Sequence, residues 1–176
     1  RDAVDPARLA FNKSAAQWLK PYPGVTETLQ KIKALRPDLP LVALTDAPRY
    51  IAMWKLNKLG LLHEFAAVYG LSDPILPTAG DIILVDQEIL VKHVRKDNFG
   101  YAGKIRVLPE EYEKPGTKGF RTVLMDFESS LSDLARDEIL FVGDNLQKDI
   151  HLGVELGIKS CWARYGTQFP DSMRKA

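Results

Sequence analysis

Cysteine is almost absent from the chain, which has one such residue, Cys161, among 176. It stands in the apolar run IKSCWA and has no disulfide partner within the chain. We therefore expect a buried, unreactive thiol in a reducing compartment, and a cytoplasmic location for the protein.

The chain also lacks a surplus of charge of either sign, since 24 lysines and arginines nearly balance 23 aspartates and glutamates. Nucleic-acid binders usually carry a basic surplus or a basic stripe, so we expect no nucleic-acid partner. The longest apolar runs are far shorter than the roughly 20 residues of a membrane-spanning helix. No segment resembles a signal peptide, and we expect no membrane partner either.

What the sequence does contain is an alternation of short apolar runs with amphipathic stretches. Runs such as LVALT and ILFVG are continuously apolar, which is typical of strands buried on both faces. Strands are predicted at 41–45, 65–70, 139–143 and 158–163, and helices at 6–19, 24–36, 47–59 and about 148–156. This order predicts one α/β domain over residues 1–176, a three-layer Rossmann-like parallel sheet with helices on both faces.

Residues 72–113 interrupt the alternation. A turn-rich stretch, SDPILPTAG, leads into DIILVDQEILV, which resembles two short strands about a tight turn, and KIRVLP resembles a third. We interpret 72–113 as a small β-rich insert, antiparallel rather than part of the main sheet. It could place polar side chains over a substrate or pair with a second subunit, so a homodimer is considered. The polar residues in question are His93, Arg95, Lys96 and Tyr101.

Two carboxylates follow the strand ILFVG, in the pattern GD-x-x-x-x-D formed by Asp144 and Asp149. Ligands of parallel sheets collect at the carboxyl ends of the strands, where these aspartates are predicted to lie. Magnesium prefers one or two carboxylates together with water and phosphate oxygens, so the pair is a candidate Mg²⁺ site. The alternative is that one aspartate caps the following helix and the other is solvated.

Thr45 ends the predicted strand LVALT, and a helix is predicted to begin just after it. A hydroxyl at this place can donate to a phosphate oxygen, and the N–H groups of the helix N-terminus point to the same region. We therefore assign Thr45 and Asp46 to a substrate site that binds phosphate. The alternative, that one of them caps the helix, is compatible with this assignment.

Lys114 is the candidate cation for the charge of the phosphate. Pro115 follows it, and proline favours the first turn of a helix, so Lys114 is predicted to lie at a helix start. Lys118, one turn later, is the competing candidate. In isolation, either lysine would more commonly be a solvated surface residue.

Taken in order, PYPGVTETLQKIK, LVALTDAP, EKPGTKGF and ILFVGDNLQKD resemble the haloacid dehalogenase-like (HAD) hydrolase superfamily. The second motif of that family is an apolar strand ending in threonine or serine, as at Thr45. The third is a lysine commonly followed by proline, as at Lys114. The fourth is an apolar strand ending in Gly-Asp with a further aspartate, as at Asp144 and Asp149.

The spacing of these segments is part of the resemblance. The interval from Lys114 to Gly143 is usual for this family, and WARYG at 162–166 resembles the aromatic–glycine segment that often follows its last core strand. The resemblance covers about residues 20–71 and 112–170.

The resemblance implies a Mg²⁺-dependent phosphohydrolase that acts on a small phosphorylated metabolite. In the family an aspartate attacks phosphorus, an aspartate two positions on serves as general acid and base, and water hydrolyses the aspartyl-phosphate. By resemblance, Thr45 holds a phosphoryl oxygen and Lys114 steadies the charge of nucleophile and phosphate. Asp144 ligates Mg²⁺, and Asp149 either ligates the ion or supports its ligands without contacting the ion.

The first motif of the family, an apolar strand ending in D-x-D, does not precede PYPGV. Asp126 and Glu128 imitate it, but the apolar residues around them keep helical spacing. Asp86 and Glu88 also follow an apolar run, yet the return strand begins at once, which indicates a hairpin turn.

The nucleophile aspartate is therefore expected to be missing from this chain. We expect that Arg1 is not the native start and that the first strand is absent from this sequence or supplied by another chain. Residues 1–19 would then be a cap-derived or connecting helix. The alternatives are a degenerate HAD domain used for binding or regulation, or another HAD chemistry such as a phosphomutase or a dehalogenase.

Overall fold

The computed structural model describes residues 14, 17–73, 98–127 and 136–167. They form helices and parallel sheets, which confirms the predicted α/β class. The chain divides into two compact units, Arg1–Leu108 and Pro109–Ala176. No helix in the described part is both long and apolar enough to cross a membrane.

The first unit contains a three-stranded parallel sheet. Its elements are α1 (Val25–Leu35), β1 (Val42–Pro48), α2 (Arg49–Lys58), β2 (Ala67–Leu71) and β3 (Lys104–Leu108). The strand order is β1-β2-β3, so β2 is central. Ala67, Val68 and Tyr69 of β2 have no exposed surface, as a continuous apolar run between two neighbouring strands requires.

One segment of the predicted insert belongs to this sheet. The strand β3 pairs in parallel with β2, from Ala67 opposite Lys104 to Leu71 opposite Leu108. The prediction of an antiparallel insert is therefore wrong for KIRVLP. Its alternation of charged and apolar residues reflects a position at the edge of a parallel sheet, where only β2 pairs with it among the described strands. The other predicted strands of the insert lie outside the described residues.

The core of the first unit forms where α2 packs on β1 and β2. Its buried members are Tyr50, Ala52, Met53, Leu62, Val68 and Tyr101. Tyr101, considered above as a substrate contact, donates its hydroxyl proton to the carbonyl of Phe65 at 3.0 Å. Burial raises the pKa of the Tyr101 phenol. His93, Arg95 and Lys96 lie outside the described residues.

The N-terminus of α2 is held by an aspartate from the end of β2. The carboxylate of Asp73 accepts from the backbone N–H of Tyr50 and from Nε of Arg49, each at 2.9 Å, and a second guanidinium nitrogen of Arg49 also contacts it. This satisfies a backbone donor that a helix start otherwise leaves unpaired. The helix begins at Arg49, two residues later than predicted, because β1 continues through Pro48.

The second unit contains a two-stranded parallel sheet. Its elements are α3 (Lys118–Phe127), β4 (Leu140–Gly143), a π-helical turn (Leu146–Ile150), α4 (His151–Leu156) and β5 (Lys159–Trp162). The helix α3 buries Phe120 and Val123, which confirms the helical interpretation of this stretch. Asp126 lies on it and is half-buried, whereas Glu128, Asp86 and Glu88 are not among the described residues.

Cys161 is exposed, so the prediction of a buried thiol is wrong. Its register partner in β4 is Val142, whose side chain is also exposed. The apolar run that suggested burial is real, but no described residue covers this face of the β4-β5 sheet.

The contacts of Asp73 predict a loss of stability when its carboxylate is removed. We expect Asp73→Ala to lower the free energy of unfolding by about 2 kcal/mol, because it removes charge-assisted hydrogen bonds in a partly buried place. Urea unfolding followed by circular dichroism measures the change. The matched control is Asp38→Ala, which removes an exposed ion pair with Arg36 and should leave the midpoint unchanged. Equal midpoints for both variants would contradict the role given to Asp73.

Candidate active site

The strand β4 ends in a glycine because an aspartate side chain crosses over it. A Cβ atom at Gly143 would lie 2.3 Å from Cβ and 2.4 Å from Cγ of Asp149, far inside van der Waals contact. Any side chain at position 143 would therefore displace the carboxylate. This close approach explains the glycine of the Gly-Asp pair in physical terms.

Both carboxylate oxygens of Asp149 are engaged by the protein. Lys114 donates from Nζ to Oδ1 at 2.5 Å, and the backbone N–H of Asn145 donates to Oδ2 at 3.1 Å. The side chains of Lys114 and Asp149 are 13% and 6% exposed, so this ion pair is nearly buried. A buried carboxylate requires such partners, and here each oxygen has one.

Lys114 reaches Asp149 from the segment before α3. Its ammonium also lies 5.8 Å from the ring centroid of Phe141 in β4, and that ring meets Phe120 of α3 edge to face. The helix begins at Lys118, so the prediction that Lys114 lies at the helix start is wrong. Lys118 is exposed and lies over the ring of Tyr112 instead. Of the two candidate lysines, Lys114 is the one that contacts Asp149.

Asp144 has the opposite environment from Asp149. It is exposed, and its carboxylate accepts no hydrogen bond from the part of the chain that the structure describes. Its backbone carbonyl accepts from Nε1 of Trp162 at 3.0 Å. The two aspartates of the motif therefore differ. Asp149 is buried and hydrogen-bonded, whereas Asp144 is exposed and has no hydrogen-bond donor on its carboxylate among the described residues.

Neither aspartate caps the helix that follows. The cap is Asn145, whose Oδ1 accepts from the backbone N–H groups of Gln147 and Lys148, each at 3.0 Å. Sequence reasoning missed this residue, although asparagine directly before a helical stretch is a recognised capping signal. A second ion pair, Glu113 with Lys148 at 2.5 Å, lies on the surface beside the Lys114–Asp149 pair.

These environments decide how each aspartate fits a metal ion. Asp144 offers an exposed carboxylate to which no residue in the described ranges donates, the type of ligand that Mg²⁺ takes alongside water. Asp149 has both oxygens occupied and fits a supporting position behind Lys114. No cluster of three or more histidine, cysteine, aspartate or glutamate side chains that could hold a metal occurs among the described residues. The described residues therefore fit Mg²⁺ with Asp144 as the one direct carboxylate ligand. Water, substrate or other residues would supply the remaining ligands.

Thr45 belongs to the first unit and lies within β1. Its Oγ1 accepts from the backbone N–H of Ala47 at 3.1 Å, and the residue is half-buried. This bond uses an acceptor site of the hydroxyl and leaves its proton available to donate. Asp46 is half-buried in the same strand. The predicted residues Lys114, Asp144 and Asp149 are all in the second unit.

Two comparisons found similarity to known proteins. Residues 111–176 match the model of the HAD-hydrolase-like family. A crystal structure of a hydrolase of the haloacid dehalogenase-like family from Brucella suis 1330 is 15% identical, with 82% of this chain and 64% of that chain covered, at a TM-score of 0.29. This chain thus spans less than two thirds of that structure. No curated protein matches the chain.

The family match covers the segment that contains Lys114, Gly143, Asp144 and Asp149, which are the residues on which the resemblance to the third and fourth motifs depends. The motifs and the family model therefore agree on the same stretch of sequence. Residues 111–176 are thus similar to the HAD-hydrolase-like family both in their motifs and in the family model.

Proposed function

We propose that the protein is a Mg²⁺-dependent phosphohydrolase that acts on a small phosphorylated metabolite through an aspartyl-phosphate. The observation that carries this proposal is the nearly buried Lys114–Asp149 ion pair beside the exposed carboxylate of Asp144, at the carboxyl end of β4. The match of this segment to a family of hydrolases supports it.

Lys114 would stabilise the negative charge of the phosphoryl group. An ammonium on a flexible stem normally moves through many rotamers, which weakens any catalytic effect. Here Asp149 holds the nitrogen and the ring of Phe141 lies near it, so the charge is fixed before the substrate arrives. Charge that is oriented in advance in a partly buried site stabilises a transition state without reorganisation.

Asp144 would hold the Mg²⁺ ion, because its carboxylate has no donor among the described residues. When bound, Mg²⁺ neutralises and orients phosphate oxygens. The buried partner, Asp149, would act on the ion indirectly through the position of Lys114.

Thr45 and Asp46 would form a phosphate-binding position within the first unit. The bond from Ala47 to Oγ1 of Thr45 leaves the hydroxyl proton to donate to a phosphoryl oxygen. Asp46 would lie beside that contact.

The proposed reaction also needs a nucleophile, an aspartate of a D-x-D motif. The sequence does not place this motif before PYPGV, so activity depends on the motif being supplied. The tests below therefore use the native gene product, assayed with a small generic phosphate ester. A native product that binds Mg²⁺ but hydrolyses no phosphate ester would favour a binding or regulatory role.

The role of Asp144 predicts a metal-dependent defect. We expect Asp144→Asn to raise the Mg²⁺ concentration for half-maximal phosphatase rate by at least about tenfold, because an amide oxygen is a weaker ligand than a carboxylate. Direct Mg²⁺ binding by calorimetry should weaken in parallel. The matched control is Asp137→Asn, an exposed aspartate of the same unit. An unchanged Mg²⁺ dependence in Asp144→Asn would remove Asp144 from the metal site.

The role of Lys114 predicts separable effects on stability and on rate. We expect Lys114→Met to destabilise the second unit by about 3 kcal/mol, because it leaves the charge of Asp149 buried without its partner. It should also lower the phosphatase rate by at least about 100-fold. Lys118→Met, at the exposed lysine, is the control and should change both quantities little.

A double variant separates the structural from the chemical contribution of Lys114. Lys114→Met combined with Asp149→Asn removes both charges and should recover most of the lost stability. The rate should stay low, since no cation then faces the phosphate. Recovery of the rate together with the stability would show that Lys114 serves only the fold.

A further inference from the structure

Trp162 makes a side-chain contact that the proposed chemistry does not use. It is the last residue of β5 and pairs with Gly143, the last residue of β4. Its indole N–H reaches past that pair and donates to the carbonyl oxygen of Asp144 at 3.0 Å. The bond joins residues 18 positions apart and fixes the backbone directly at the candidate metal ligand.

The other side of Asp144 is limited by a glycine. A Cβ atom at Gly166 would lie 2.5 Å from Cβ, 3.1 Å from Cγ and 2.8 Å from Oδ2 of Asp144. Gly166 donates its own N–H to the carbonyl of Ala163 at 2.9 Å, which holds this turn in place. The carboxylate of Asp144 therefore lies along a surface that only glycine leaves open.

The ring of Trp162 is itself held, although it is 40% exposed. The guanidinium carbon of Arg164 lies 5.8 Å from the ring centroid, within the range of a cation–π interaction. The strand ladder also continues past Trp162, since Ala163 donates to the carbonyl of Gly143 at 2.8 Å. Neighbouring residues therefore hold both the backbone beside Trp162 and its indole ring.

We propose that Trp162 and Gly166 are positioning residues for the carboxylate of Asp144, and that the Mg²⁺ affinity depends on the indole N–H. An exposed aspartate side chain that accepts no hydrogen bond from the described part of the chain would otherwise populate several rotamers. The bond from Trp162 fixes the backbone at Asp144, and Gly166 borders one side of its side chain. Both lower the conformational entropy that the Asp144 side chain loses when the ion binds. Partners of this kind typically change metal affinity 10- to 100-fold. The inference rests on the proposed function, which assigns Asp144 to the metal.

The test compares Mg²⁺ binding by calorimetry in the native gene product and in four variants. Trp162→Phe keeps an aromatic ring but removes the N–H, and should raise the dissociation constant of Mg²⁺ about tenfold. Gly166→Ala should raise it at least as much. Trp54→Phe is the matched control, because Trp54 lies on α2 in the first unit, and it should bind as the native protein does. Asp144→Asn reports whether the metal binds at this aspartate at all.

A spectroscopic measurement keeps the inference testable if Gly166→Ala fails to fold. With Trp18→Phe and Trp54→Phe in place, Trp162 is the remaining tryptophan of residues 1–176. Mg²⁺ should then shift its emission, and adding Asp144→Asn should abolish the shift.

The outcomes separate this inference from the proposal on which it rests. If Asp144→Asn binds Mg²⁺ as the native protein does, the metal assignment itself fails. If Asp144→Asn weakens binding while Trp162→Phe leaves it unchanged, the metal assignment stands and the positioning role is overturned.

Discussion

The position of Asp149, folded back across the end of β4, is the constraint on which the second unit depends. A buried carboxylate without partners would be costly, so its two oxygens require Lys114 from one side and the backbone N–H of Asn145 from the other. Its path across the strand also requires the glycine at 143. The side chain of Asp149 thus accounts for a lysine 35 positions before it and for the glycine that ends β4.

The two aspartates of the motif look alike in the sequence but have different environments in the structure, since Asp149 is buried and Asp144 is exposed. The difference arises from the turn between them. In this π-helical turn the carbonyl of Asn145 accepts from both Asp149 at 2.8 Å and Ile150 at 3.2 Å. The widened turn brings the side chain of Asp149 back to the start of the helix, whereas Asp144 stays at the strand end. A spacing of five residues cannot reveal which aspartate is buried, because that depends on the width of the turn.

The sequence was a good guide where one local pattern determined the structure. Continuous apolar runs identified β1, β2, β4 and β5, and helical spacing identified α3. It was a poor guide where strand pairing or side-chain burial depended on residues distant in the sequence. The alternation in β3 is compatible with a hairpin and with the edge of a parallel sheet, and only its pairing with β2 distinguishes them. Cys161 is in a strand as predicted, but its burial depended on what covers that face.

The same distinction applies to the candidate site. The hydroxyl of Thr45 is oriented by the N–H of Ala47, two residues away, so a short stretch of sequence carries the whole arrangement. Lys114 is oriented by a carboxylate 35 residues away, and the sequence alone left it in competition with Lys118. Only the fold distinguishes them, because it brings Lys114 to Asp149 and Lys118 to the ring of Tyr112. Residues whose function depends on a distant partner are therefore the ones that sequence reasoning can name as candidates but cannot rank.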